Sequence, residues 1–166
     1  MESDEVDRVV DAWARERPDL DLTPMYVMSR VSRLAQQLDR ARSAAFSGHE
    51  LTGWEFDVLA ALRRIGKPYV LSPGRLLAET HVTSGTMTNR IDRLAARGLV
   101  SREPDPADRR GVRVALTEKG RVAVDGALVD LVRIEDQLLS GLAEEERQEV
   151  ADLLRRLMLS FPRPTP

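Results

Sequence analysis

A mainly α-helical chain with one small β-wing is the fold class that the sequence predicts, on three observations. Apolar residues recur every three or four positions through most of the length. Helix signals punctuate that pattern: Thr23-Pro24, Thr52 with Glu55, and Thr117 at starts; Gly48, Gly66, Gly98 and Gly141 at stops. One stretch, residues 99 to 116, instead carries short β-type runs around proline, aspartate and glycine.

Taken in order, Val6, Val9, Val10 and Trp13 form one face of a short amphipathic helix, which RPDLDLTP interrupts. Thr23-Pro24 then reads as N-cap and first helical residue. Along this second helix Val27, Val31, Leu34, Leu38, Ala41 and Ala45 alternate steps of four and three, a heptad-like seam. The Thr52–Glu55 capping box opens a helix with Val58, Leu59, Leu62 and Ile65 expected inward and Gly66 at its end. Ser72-Pro73 starts a short helix to about Thr80, His81 to Thr83 form a turn, and Ser84 is expected to cap the next helix. That helix turns Met87, Ile91 and Leu94 inward and ends at Gly98.

Two short helices joined by such a turn make a helix-turn-helix. Leu99-Val100 and Val112, Val114, Leu116 follow as a two-stranded hairpin with a long polar tip, PDPADRRG. A hairpin in that place is the wing of a winged helix. Thr117 caps a long helix to about Leu139, and a last helix is expected to bury Val150, Leu153, Leu154, Leu157, Met158 and Phe161 before the tail PRPTP. The expected organisation is residues 1–50 as N-terminal helices for dimerisation and one wall of a ligand cleft, residues 51–116 as a winged helix-turn-helix DNA-binding domain, and residues 117–166 as C-terminal dimerisation helices. The long apolar seams are most simply explained as the interface of a homodimer.

Composition narrows the function. The 166 residues are 42% hydrophobic and 31% charged, enough for a packed core. Without cysteine there is no disulfide framework, thiolate metal site or cysteine nucleophile. His49 and His81 stand apart in the sequence, so no metal site is expected, and neither GxSxG, HExxH nor a phosphate-binding glycine loop occurs. An enzyme is therefore the disfavoured class. No apolar run reaches the roughly 18 residues of a membrane span, and the acidic N-terminus is no signal peptide, so a cytoplasmic protein without a membrane partner is expected.

The net charge of −2 hides an uneven distribution. Residues 1 to 21 sum to −5 and residues 135 to 152 to −6, whereas residues 81 to 113 carry seven arginines and sum to +3. A basic middle can supply an electrostatic footprint for nucleic acid. With Met87, Ile91 and Leu94 inward, Ser84, Thr86, Thr88, Asn89 and Arg93 lie on the outer arc of the helix. Hydroxyls, amides and guanidinium suit phosphates and base edges. Arg109 and Arg110 at the wing tip suit a narrow minor groove, with Asp108 near enough to hold a guanidinium. These seven residues are the candidate contacts to double-stranded DNA.

From Leu51 to Gly120 the chain resembles the MarR family of winged-helix transcriptional regulators, in the GLV after the second helix, the PADRRG tip and the ALTEKG beyond it. The resemblance implies a homodimer on a pseudo-palindromic operator, usually a repressor released by a small ligand. Trp13, GWEFDVLAALRR around Asp57, MTNR around Arg90 and VSRE around Arg102 are similar to the urate-responsive branch of that family. There the resemblance implies that Trp13, Asp57, Arg90 and Arg102 bind urate or a related anion, with no other cofactor. From the residues alone, Trp13 can equally be a packing anchor, and Asp57 with Arg90 or Arg102 a structural ion pair. A citrate-like or phenolic ligand on the same regulator, and a winged-helix dimer that binds only proteins, stay open as alternatives.

Overall fold

The computed structural model describes residues 3–80, 82–106 and 108–161, with the side chains of 108–110 left aside. Among the described residues the elements run α1 (Glu5–Glu16), α2 (Thr23–Ser47), α3 (Gly53–Arg64), β1 (Val70–Leu71), α4 (Pro73–Thr80), α5 (Ser84–Ala96), β2 (Val100–Asp105), β3 (Asp108–Leu116), α6 (Glu118–Leu138) and α7 (Glu144–Leu159). The fold is mainly helical with a small antiparallel sheet, as the sequence predicts. No described helix is long and apolar enough to cross a membrane. The chain divides into two units, one up to Arg42 and one from Ser43.

In the first unit, Asp4 caps α1 by accepting from the backbone N–H of Val6 (2.7 Å) and Asp7 (3.0 Å). Its other oxygen takes the Arg30 Nε of α2 at 2.8 Å, while Arg30 Nη2 reaches Asp7 at 2.7 Å and Arg33 pairs with Glu5. Acidic α1 is thus laid along basic positions of α2. Val6 and Val10 are buried, but Val9 and Trp13, expected on the same inward face, are exposed. Along α2 the seam residues Val27, Val31 and Leu34 are exposed too.

The second unit holds a core of Phe46 and Phe56, stacked at 4.2 Å, with Val58, Leu59, Leu62, Leu76, Met87, Ile91, Leu94, Leu99 and Val114. The capping box is present, Thr52 N–H donating to Glu55 Oε2 at 2.9 Å. Ile65, expected inward, is instead exposed: it is the C-cap, and Gly66 (φ +80°) has already turned the chain away. The cap of α5 is Thr83, not Ser84, which is the first helical residue. His81 lies outside the described residues.

The sheet has a strand that the sequence reading omits. β1 pairs antiparallel with β3 (Val70↔Ala115, Leu71↔Val114), giving the order β1-β3-β2. Two residues are too few to show a period-two pattern, so β1 exists only through its partner. The hairpin itself is longer than expected and its tip shorter. Pairing runs from Val100↔Leu116 to Asp105↔Asp108, with an irregularity after Pro104.

α6 starts against this sheet because Gly120 permits it. A Cβ there would lie 2.1 Å from the Leu99 carbonyl oxygen. Thr117 completes the junction, accepting from Gly120 N–H (3.0 Å) and donating towards the carbonyls of Gly98 (2.8 Å) and Leu99 (3.0 Å). On α7 the expected burial is not found: Val150, Leu153, Leu154, Met158 and Phe161 are exposed and Leu157 is half-buried. The residues PRPTP lie outside the description.

Candidate nucleic-acid interface

α5 is held by one face and free on the other. Met87, Ile91 and Leu94, at steps of four and three, are at most 1% exposed and lock the helix to the core. The same spacing leaves Ser84, Thr86, Thr88, Asn89 and Arg93 in solvent. Local bonds steady two of these hydroxyls: Thr86 Oγ1 lies 2.9 Å from Thr83 Oγ1, and Thr88 Oγ1 donates to the Ser84 carbonyl at 3.2 Å. The five candidate contacts on this helix are therefore brought together on one exposed surface. Arg109 and Arg110 belong to β3, directly after the turn, and their side chains lie outside the described set, as does that of Asp108.

The described arginines in and next to α5, β2 and β3 fall into two groups. Arg97 Nη1 pairs with the buried Glu55 at 2.6 Å and its Nη2 donates to the Glu50 carbonyl at 2.7 Å. Arg102 pairs with Asp92 at 2.5 Å, and Arg113 lies 3.8 Å from Glu103. These charges are neutralised within the chain. Arg90 and Arg93 have, among the described residues, no carboxylate partner. Both guanidiniums instead lie over the ring of Trp54, 5.3 and 5.2 Å from its centroid. Trp54, Gly85, Thr86, Asn89, Arg90 and Arg93 line an open cavity of about 460 Å³.

Glu55 explains why Trp54 stands where it does. Burial favours the neutral carboxyl, but the Thr52 backbone N–H, the Arg97 guanidinium and the Thr52 hydroxyl all favour the anion. Together they hold Glu55 below its ordinary value. This pinned first turn of α3 fixes Trp54, the preceding residue.

Of the four candidate ligand residues, Arg90 is half-buried over Trp54, and Arg102 is committed to Asp92. Asp57 is exposed on α3, one turn beyond Trp54. Trp13 is an exposed residue of α1, in the other unit. The tryptophan beside Arg90 in this unit is Trp54, which sequence reasoning passed over. Its signal was its place in the first turn of a capped helix, beside a cap partner that is buried. Among the described residues no cluster of His, Asp or Glu could hold a metal ion.

A model of the MarR family matches residues 49–111, from the α2–α3 junction to the wing. The HTH-type transcriptional regulator PecS of Dickeya dadantii is 39% identical over 92% of this chain and 92% of its own. The chain belongs to the MarR family. Among solved structures this MarR-family chain is similar to Bordetella bronchiseptica BpsR, whose structure concerns regulation of DNA binding by 6-hydroxynicotinic acid. That match has 32% identity and a TM-score of 0.67, covering 82% of this chain and 94% of that one. It is also similar to a variant of E. coli MarR in complex with operator DNA, at 27% identity and a TM-score of 0.68, covering 83% and 99%. The MarR-family chain is a winged-helix transcriptional regulator, not an enzyme.

Proposed function

We propose that this regulator is a repressor that binds a pseudo-palindromic operator as a homodimer and is released by an anionic small molecule, urate first among the candidates. The observation that carries the DNA reading is the exposed arc of α5, with Thr86, Asn89 and Arg93 opposite a buried Met87–Ile91–Leu94 stripe. Ser84 and Thr88 serve phosphates from the same arc, and Arg109 and Arg110 carry the wing into a flanking minor groove. The likeness to MarR on operator DNA supports this assignment.

Arg90 is the residue through which an anion acts in this reading, because none of the described carboxylates pairs with it and its helix is the reading helix. Trp13, Asp57 and Arg102 are the further candidates, with Asp57 repelled by the ligand's negative charge. A shift from almost fully bound to almost fully released needs about 5.5 kcal/mol between the two conformations, so two sites per dimer would each supply under about 3 kcal/mol. Operator DNA then weakens ligand binding by the same factor.

Fluorescence anisotropy of labelled operator duplex tests both halves. Specific binding should weaken with rising salt, and urate should release the DNA from the parent but not from Arg90→Ala. A citrate-like or phenolic release profile would keep the regulator and replace the ligand. Absence of binding to any operator-length duplex would overturn the DNA reading itself.

A further inference from the structure

His49 is seated on α6 by two independent features. Its Nε2 lies 2.8 Å from Asp130 Oδ2. Its ring rests against Gly126, where a Cβ would come within 2.5 Å of the ring carbon Cε1. Gly126 and Asp130, four positions apart, share one face of α6, so the imidazole lies across that face. Arg133 donates to the other Asp130 oxygen at 3.2 Å. The His49 bond first, and then Arg133, hold Asp130 below its ordinary value, so the carboxylate accepts and Nε2–H donates. Glycine is a poor helix former, yet any larger residue here would push the imidazole off α6.

The turn that carries His49 also reaches the reading helix. His49 N–H donates to the Phe46 carbonyl at 3.0 Å and Glu50 N–H to that of Ser47 at 3.1 Å, which fixes the turn on the end of α2. The Glu50 carbonyl in turn accepts from Nη2 of Arg97, the C-cap of α5, at 2.7 Å. Asp130 on α6 is thus joined to the end of α5 through two consecutive residues. We propose that His49 is a positioning residue for operator binding: it ties the direction of α5 to α6, and so sets how far apart the two reading helices of a dimer stand. α6 also carries the exposed Val129 and Val132, apolar surface that a second copy would cover. The inference rests on the DNA-binding and homodimer reading of the chain.

Half-site spacing reads such a role directly, because the half-sites must match the separation of the two helices. Anisotropy is measured on labelled operator duplex, on duplexes with one base pair added or removed between the half-sites, and on unrelated duplex. His49→Leu should reduce the preference for the operator's own spacing roughly fivefold or more, with binding to unrelated duplex unchanged. His49→Gln, which keeps an N–H donor near the Nε2 position, should retain the preference. Gly126→Ala should reproduce the His49→Leu loss, although alanine favours the helix and its melting temperature should hold or rise. In the His49→Leu background the same alanine should cost nothing further. An unchanged spacing preference in His49→Leu or Gly126→Ala, an equal loss on every duplex, or a His49→Gln protein as impaired as His49→Leu would overturn the proposal. A parent that binds no operator, or that stays monomeric by light scattering, would instead remove the reading beneath it, a separate outcome.

Discussion

Asn89 and Arg93 are exposed on a helix whose opposite side is fully buried, so replacing either removes a contact without opening the core. Asn89→Ala or Arg93→Ala should leave thermal unfolding nearly unchanged and weaken specific operator binding by roughly 1 to 3 kcal/mol for a base contact. Parent-like affinity at matched salt would reassign the reading surface. Glu55 behaves oppositely: it touches no candidate DNA contact but anchors α3 to Arg97. Its folded pKa lies below the ordinary 4.5, so the stability it confers is fully present above about pH 4.5 and is lost as pH falls through the lower folded value. Glu55→Gln should therefore flatten the acid side of a stability–pH curve measured by denaturant unfolding. An unchanged slope below pH 4.5 would show that this pair does not couple to folding.

At the scale of elements, the β3–α6 junction depends on a close backbone approach. The added methyl of Gly120→Ala would meet the Leu99 carbonyl oxygen at 2.1 Å, and backbone cannot yield as a side-chain tip can. A loss of roughly 1 to 3 kcal/mol is expected by analogy with overpacked cores, read as a lowered melting temperature. Gly141→Ala, with nothing within 4 Å, is the control. The wing is a different kind of element, a hairpin paired almost to its turn. Arg110→Ala should reduce affinity for most sequences alike and lower the salt slope by about one, since a minor-groove or phosphate contact carries charge more than sequence information. A loss confined to one operator sequence would contradict that role.

For the whole molecule, the decisive feature is apolar surface that the described residues do not cover. Val27, Val31 and Leu34 on α2, Val129 and Val132 on α6, and Leu153, Leu154, Met158 and Phe161 on α7 are all exposed. Apolar surface on this scale marks an interface. Light scattering should give twice the 18.6 kDa chain mass at micromolar concentration, with an interface on the order of 2,000 Å² or more. In the dimer, two copies of α5 would enter successive major grooves about 10 base pairs apart. A folded 18.6 kDa monomer would overturn both expectations.

The helices, the capping box at Thr52 and Glu55 and the buried stripe of α5 were legible in residue order because they arise from contacts within a few positions. Periodicity and caps are local physics. The same holds for the exposed arc from Ser84 to Arg93, since burying one helical face places the other in solvent. Three features required the folded chain. β1 has two residues and no pattern of its own, so its hydrogen bonds to β3 create it. The apolar face of α7 reads as core, yet its cover is not within the described chain. Arg90 and Arg102 are chemically identical in the sequence; Asp92 neutralises one, while Trp54, some 36 residues away in the chain, gathers the other beside Arg93. Which arginine is paired with a carboxylate is set by neighbours that only folding brings together, and spacing along the chain carries no record of them.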